Sequence, residues 1–466
     1  MIAFKFFLFL ISAFLPGYLL IRLFLREAVL GWLKALSLSF GIGSLFVTIQ
    51  LFIFLFICKL SVGNWIFALF IIENSLLLFL YYKKYGFKFE KISKIKSLKL
   101  KEILLVILIF LQLIFSLSNC LARPIIAYDS LAVWTLRAKI LFYDNVVNSN
   151  PESFYYLGGY WHNNYPWHSS LLQYWSAFVL KDFNELAINL IFFIFFASVL
   201  LLIYSFLRDY INRFYALLFT FLLSSMPLFF YHSSNPYSDL PLSYYELIGF
   251  IFLFKWIERL RQNKDNSLSE VDKEKKMLFW IGLFFGVAFL VKLDAIIFAI
   301  AAGAVILGVL LQKRLMKYSV GWKQLGIFVL GLILPNIFWG FFLIKYGLGL
   351  SNIAPAFGWH PEIFGPFLDS LFVANNWNIW WIVFFTFLLI YIKVIWRQKE
   401  LLWGYLFVII VSFGFTILYL FTGLYEFVIN HTAVSRNIML FVPISVFLTA
   451  RLLKFDPKKN NENNEI

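Results

Sequence analysis

Charge and sulfur are what this sequence has least of. Only 14% of its 466 residues are Asp, Glu, Lys or Arg, and two are cysteine. So few charges cannot solvate a globular surface, which excludes an ordinary soluble domain. Cys58 and Cys120 abut or lie in apolar runs, so neither a disulfide framework nor a cysteine zinc site is expected. The opening run MIAFKFFLFLISAFLPGYLL has no basic n-region and no small-residue cleavage site. It reads as a retained span and not a signal peptide. The apolar runs lack the period-two alternation of a β-barrel. No internal repeat points to the inverted symmetry of many secondary transporters.

What is present is apolar bulk. Hydrophobic residues make up 62% of the chain, Phe alone occurs 59 times, and mean hydropathy is +0.81. Apolar runs of about twenty residues recur throughout, the length that crosses a bilayer as a helix. The expected fold is therefore an all-α polytopic membrane protein with about thirteen spans. These fall near 2–21, 36–57, 64–82, 103–121, 186–207, 214–231, 240–256, 277–291, 295–311, 325–344, 377–396, 401–421 and 438–453.

The net charge of +15 comes from Lys and Arg clustered between these spans. That pattern reads as a topology signal and a match to anionic headgroups, not as a nucleic-acid surface. With the N-terminus outside, roughly three-quarters of the basic residues fall on the cytoplasmic side, and the opposite orientation inverts every such connection. The C-terminus is then cytoplasmic. Three parts follow: a three-span extension over 1–102, a core over 103–453, and a polar tail over 454–466. The loops 122–185, 232–241, 291–295, 345–376 and 422–437 face outward.

Those outer loops carry the unusual polar residues. The longest, 122–185, cannot sit in lipid, and so long and aromatic a loop between spans is expected to carry function. Pro124 stops the preceding helix, so Asp129 in YDSLAVW stands at the membrane surface, where it also suits a helix N-cap. Leu131, Trp134 and Ala138 share a helical face, which predicts a helix lying on the interface with Arg137 and Lys139 reaching for lipid phosphates. Tyr165-Pro166 sets an extended entry to a further helix, bearing His168. His162 and His168 are six apart, a poor spacing for two ligands on one helix, so no metal site is assigned.

Further on, Asp239 opens a span and Glu246 lies about two turns deeper on nearly the same face. Lys292 and Asp294 occupy a short turn, where they can pair with each other or with headgroups. Arg436 begins the last span, where snorkelling is its plain role. Each residue alone has a structural explanation. Together, three carboxylates and several cations on one membrane face fit a particular chemistry. Cations hold a lipid-tailed phosphate leaving group while a carboxylate takes a proton from an incoming hydroxyl.

The order of these motifs resembles the GT-C superfamily of integral-membrane glycosyltransferases, which includes protein O-mannosyltransferases and lipid A aminoarabinose transferases. The residues that carry the resemblance are YDSLAVWTLRAK (128–139), NNYPWHSSLL (163–172), YSDLPLSYY (237–245), VKLDA (291–295) and SRNIMLFVP (435–443). They lie within 103–450, after three further spans, and Ser130 stands where relatives often have a second acid. The resemblance implies a polyprenyl-phosphate-linked sugar donor and inverting transfer to a glycan, lipid or protein acceptor outside the cytoplasm of a bacterial cell. On that analogy Asp129 is the general base. Asp239, Tyr165, His168, Trp134, Glu246 and Asp294 shape the pocket, and Lys292, Arg436, Arg137 and Lys139 hold phosphate. No cofactor is assigned, with a divalent cation left open. The alternatives are a flippase or transporter of a lipid-linked saccharide, and a polysaccharide polymerase or ligase.

Overall fold

The computed structural model describes residues 2–25, 31–86, 97–144, 164–262, 268–312, 322–349 and 357–455. Every long regular element among them is helical. In chain order these are α1 (Ile2–Phe24), α2 (Trp32–Ile57, its last turn π-helical), α3 (Trp65–Tyr85) and α4 (Leu100–Ala122). Next come α5 (Thr135–Asp144), α6 (His168–Leu180), α7 (Glu185–Leu207), α8 (Arg213–Ser224) and α9 (Asp239–Gln262). The series closes with α10 (Leu268–Val291), α11 (Ala295–Leu311), α12 (Lys323–Lys345), α13 (Trp380–Ile390), α14 (Lys399–Phe421) and α15 (Val434–Leu452).

Nine of these, among the described residues, are long and apolar enough to cross a membrane: α1 to α4, α7, α9, α12, α14 and α15. The chain is thus an all-helical polytopic membrane protein. The other four expected spans have different forms. The run at 214–231 is broken into α8 and a second piece, Pro227–Ser234, bent by 72°. Pro227 cannot donate to the preceding turn, and the helix stops before it. The run at 277–291 is the apolar half of α10, whose first turns are charged. The runs at 295–311 and 377–396 give the shorter apolar helices α11 and α13.

The chain forms two compact units: Met1–Phe206 with Phe230–Pro241 and Phe338–Leu350, and Leu207–Phe229 with Leu242–Ile337 and Ser351–Ile466. In the first unit α1 and α2 touch backbone to backbone. A Cβ on Gly17 would collide with the Ser39 carbonyl, and one on Gly43 with the Ala13 carbonyl. Small residues four apart, Ala13 with Gly17 and Ser39 with Gly43, let two membrane helices approach this closely and gain dispersion that lipid cannot supply. Residue 43 must therefore be glycine.

In the second unit the expected topology signal at Arg451 does more than mark a side. Its guanidinium is 1% exposed, donates to Glu258 Oε1 at 2.8 Å and lies 4.1 Å over the Tyr210 ring. A buried charge of this kind needs such partners. Substituting Gly43→Val should lower the thermal unfolding midpoint in detergent by an amount matching about 3 kcal/mol or more. Gly326→Ala, where a Cβ meets nothing within 4 Å, should leave the midpoint unchanged.

Candidate active site

The start of the long loop after α4 is fixed by strand-like backbone and borrowed hydrogen bonds. Arg123 is extended (φ −124°, ψ 134°), as a residue before proline must be. The Arg123 carbonyl accepts from Asn189 Nδ2 at 3.0 Å, and the Ile125 N–H donates to Glu185 Oε2 at 3.0 Å. Both partners lie on α7. The chain turns helical again at Tyr128, passes through a π-helical turn at Ser130–Trp134 and continues as α5.

Asp129 stands just before that turn, partly exposed. Its backbone is already helical (φ −63°, ψ −29°) and its side chain makes no capping bond to the helix. The N-cap role is therefore not the one it plays. Ser130, the next residue, is fully buried.

The interfacial helix with free cations is not what forms. Trp134 and Ala138 are buried within the protein, while Leu131 is exposed. Arg137 is 4% exposed. Its Nη2 donates to the carbonyls of Tyr165 and Pro166 at 3.1 and 3.2 Å, and the guanidinium lies 3.6 Å over the Trp167 ring. Sequence spacing indicates a face of the helix but not what covers it, and here the covering element is the Tyr165-Pro166 entry. Burial pushes the Arg137 pKa down to about 9, so the group stays cationic at neutral pH. Lys139 is exposed, with Nζ 5.7 Å from the centre of the Phe183 ring. His162 lies outside the described residues.

Five sequence-selected or adjoining residues do come together. Trp134 stacks on Tyr165 (ring centres 5.8 Å, 16°), and Arg137 joins both ends of that pair to Trp167. Ser170 Oγ donates to the Trp134 carbonyl at 2.9 Å, fastening α6 to the π-helical turn. His168 opens α6, 3% exposed, with Nδ1 2.7 Å from Thr48 Oγ1. Burial pushes its pKa down to about 3, so the imidazole is neutral at physiological pH. Asp239 is fully buried at the first turn of α9, and its neighbour Ser238 donates to Ser169 Oγ at 2.8 Å.

Several buried polar groups here make fewer hydrogen bonds than they can. The amides of Asn164 and Gln173, the hydroxyls of Ser130 and Thr135, and Nε and Nη1 of Arg137 have no hydrogen-bond partner among the described residues. Buried donors and acceptors of this density suit a hydroxyl-rich or anionic ligand.

The second unit holds the remaining candidates. Lys292 Nζ and Asp294 Oδ2 are 2.6 Å apart, so the turn residues pair with each other. Glu246 is fully buried, and neither carboxylate oxygen has a hydrogen-bond partner among the described residues. Arg436 is half-buried in the first turn of α15. Next to it in sequence, Asn437 lines a small groove with Phe367, Ser412, Phe415, Tyr419 and Phe441, and Asn437 Nδ2 donates to Tyr419 Oη. Among the described residues no three His, Cys, Asp or Glu side chains are grouped to hold a metal ion.

Residues 168–339 match the family model described as dolichyl-phosphate-mannose-protein mannosyltransferase. That segment contains His168, Asp239, Glu246, Lys292 and Asp294. The crystal structure of ArnT from Cupriavidus metallidurans in the apo state matches with a TM-score of 0.51 and 15% identity. The match covers 77% of this chain and 61% of that one, so the chain spans about 61% of the length of ArnT, and the likeness is one of fold. A comparison with curated proteins finds no match.

Thr48, Trp167, Ser169, Ser238 and Gln173 were not singled out by the sequence. Thr48 could have been. Ser37, Ser44 and Thr48 are seven and four apart in an otherwise apolar span, a polar stripe on one helical face.

The buried neutral His168 has a pH consequence. An unfolded histidine takes a proton near pH 6.5 and the folded one near 3, so the unfolded state binds more protons between these values. Stability is full above about pH 6.5 and falls as pH drops, by up to about 1.4 kcal/mol per pH unit from this group. In unfolding scans from pH 7 to 4, His168→Gln should flatten the slope relative to wild type, whatever it does to the midpoint.

Proposed function

We propose that this protein is a membrane glycosyltransferase that moves a sugar from a polyprenyl-phosphate donor to an extracytoplasmic acceptor hydroxyl with inversion. The observation that carries the reading is the match of residues 168–339 to the mannosyltransferase family, over a segment holding five of the candidate residues. The ArnT-like fold and the partly exposed Asp129 ahead of that segment support it.

In the proposed step Asp129 accepts the acceptor hydroxyl's proton as its oxygen bonds to the sugar's anomeric carbon. The bond from that carbon to the phosphate oxygen breaks, and polyprenyl phosphate leaves with the electron pair. Arg436 and Lys292 neutralise the leaving phosphate. Trp134, Tyr165, His168 and Asp239 in the first unit, and Asp294 and Glu246 in the second, are the further residues proposed to take part in binding. Arg137 is reassigned from phosphate binding to holding the Tyr165-Pro166 entry, because its guanidinium is buried on two carbonyls. Lys139, being exposed, is suited to a lipid headgroup.

The proposed setting is a bacterial cytoplasmic membrane with the N-terminus and site outside and the C-terminus inside. Thirteen crossings result if the bent pair, α10, α11 and α13 also span.

A flippase for the same lipid-linked sugar draws on one observation, the unpartnered carboxylate of Glu246 inside a span. Glu73, the other acid at depth, accepts from Gln50 Nε2 at 3.1 Å. Proteoliposomes separate the two readings, since a flippase moves the labelled donor across the bilayer without consuming it.

Asp129→Asn should lower transfer about 10²- to 10⁴-fold with unfolding unchanged, and transfer at the wild-type rate would remove the base. Arg436→Gln should raise KM for the donor about tenfold or more, measured with a polyprenyl-phosphate sugar series.

A further inference from the structure

The three spans that precede the family-like core are not a detached anchor. α6 bears His168 and follows the Trp167 that covers Arg137, and twelve of its thirteen residues are buried. Much of that cover comes from the extension. Thr48 on α2 meets His168 Nδ1 at 2.7 Å. Phe56, in the π-helical last turn of α2, packs its ring 4.6 Å from Trp167, over which the Arg137 guanidinium also lies. Ser12 on α1 accepts from Trp175 Nε1 at 2.8 Å, and Lys5 Nζ donates to the Leu180 carbonyl at 2.7 Å. Phe70 on α3 packs 4.9 Å from Trp175. The contacts run along α6 from its first residue to its last.

One of them differs in kind. A buried neutral imidazole can turn its ring and carry its proton on either nitrogen; a hydrogen bond to one nitrogen fixes the ring, and fixes the proton too when the partner hydroxyl donates its own proton to another acceptor. Thr48 supplies that bond from a polar stripe on an apolar helix, where a hydroxyl would otherwise bond only to its own helix. It also lies 3.3 Å from the Leu45 carbonyl.

We propose that the N-terminal extension forms a wall of the active site and that Thr48 is a positioning residue, setting the orientation and tautomer in which His168 meets the bound sugar. This rests on the transferase reading. The extension thereby contributes to the reaction without supplying a group that touches the reacting atoms.

The test uses the full-length protein in detergent or nanodiscs with a polyprenyl-phosphate sugar as donor. Thr48→Val keeps the shape and removes the hydroxyl; it should lower kcat/KM about fivefold to tenfold, the size of one lost hydrogen bond. Thr48→Ser should recover most of that loss. On a His168→Gln background Thr48→Val should add less than about twofold, because the partner is already gone. Ser12→Ala removes another bond to α6, remote from His168, and should leave kcat/KM unchanged.

A second readout needs no turnover. The chain has five histidines. With ¹⁵N-labelled histidine, the ring signals lost in His168→Gln should shift in Thr48→Val and return in Thr48→Ser. Additive effects in the double variant, or His168 signals indifferent to Thr48→Val, would overturn the proposal. Absence of any transfer by the wild type would instead sink the transferase reading, and the histidine spectra would still decide the Thr48–His168 bond.

Discussion

Backbone that is not helical cannot face hydrocarbon, because its N–H and C=O groups find no partners there. The chain at 123–127 and at 164–167 has such backbone, and the second stretch adjoins a helix, α6, of only thirteen residues. Everything placed in the first unit follows from covering these stretches. Glu185 and Asn189 take up their loose hydrogen bonds at one end. Arg137 takes up the Tyr165 and Pro166 carbonyls at the other. The N-terminal spans close over α6. At both described ends, 123–127 and 164–167, irregular backbone thus finds hydrogen-bond partners in protein side chains.

The same constraint explains which parts could be read from the sequence. Span positions were legible because about twenty apolar residues in a row have few alternatives. The stop at Pro124 and the entry at Tyr165-Pro166 were legible because proline restricts its own φ and its predecessor's conformation. The break at Pro227 carried the same signal inside a run that otherwise looked continuous. Proline alone does not decide the matter, however, since Pro16 and Pro443 sit inside unbroken helices. The segment 361–373 read as plain loop. It is short helical turns with Phe364, Leu368, Phe372 and Val373 exposed, an apolar character the loop label concealed.

What the sequence could not give was partner choice. Helical spacing put Arg137 on a defined face, but whether lipid phosphate or backbone carbonyls met that face depended on an entry segment 28 residues later. Thr48 is further still, 120 residues from His168. Such long-range pairs leave no local periodicity. The close approach of α1 and α2 did leave one, in small residues four apart at Ala13, Gly17, Ser39 and Gly43. Its meaning depends on the helices being neighbours.

The electrostatics of the proposed site follow from these commitments. Arg137 has given one edge of its fork to carbonyls and its face to Trp167, so it can rigidify the pocket but is poorly placed to follow a leaving phosphate. Lys292 holds Asp294 at 2.6 Å, with 12% and 24% of the two side chains exposed. A half-buried pair of this kind is nearly neutral from outside, so an arriving phosphate feels little of the Lys292 charge unless Asp294 swings away or loses its own. Removing Asp294 would therefore strengthen the attraction for phosphate while leaving a charge poorly compensated in its absence. The donor's phosphodiester carries one negative charge and gains a second as its bond to the sugar breaks, and at that moment the lysine can most readily trade its carboxylate for the phosphate. That is the differential stabilisation a transferase needs, weaker for the bound donor than for the departing lipid phosphate.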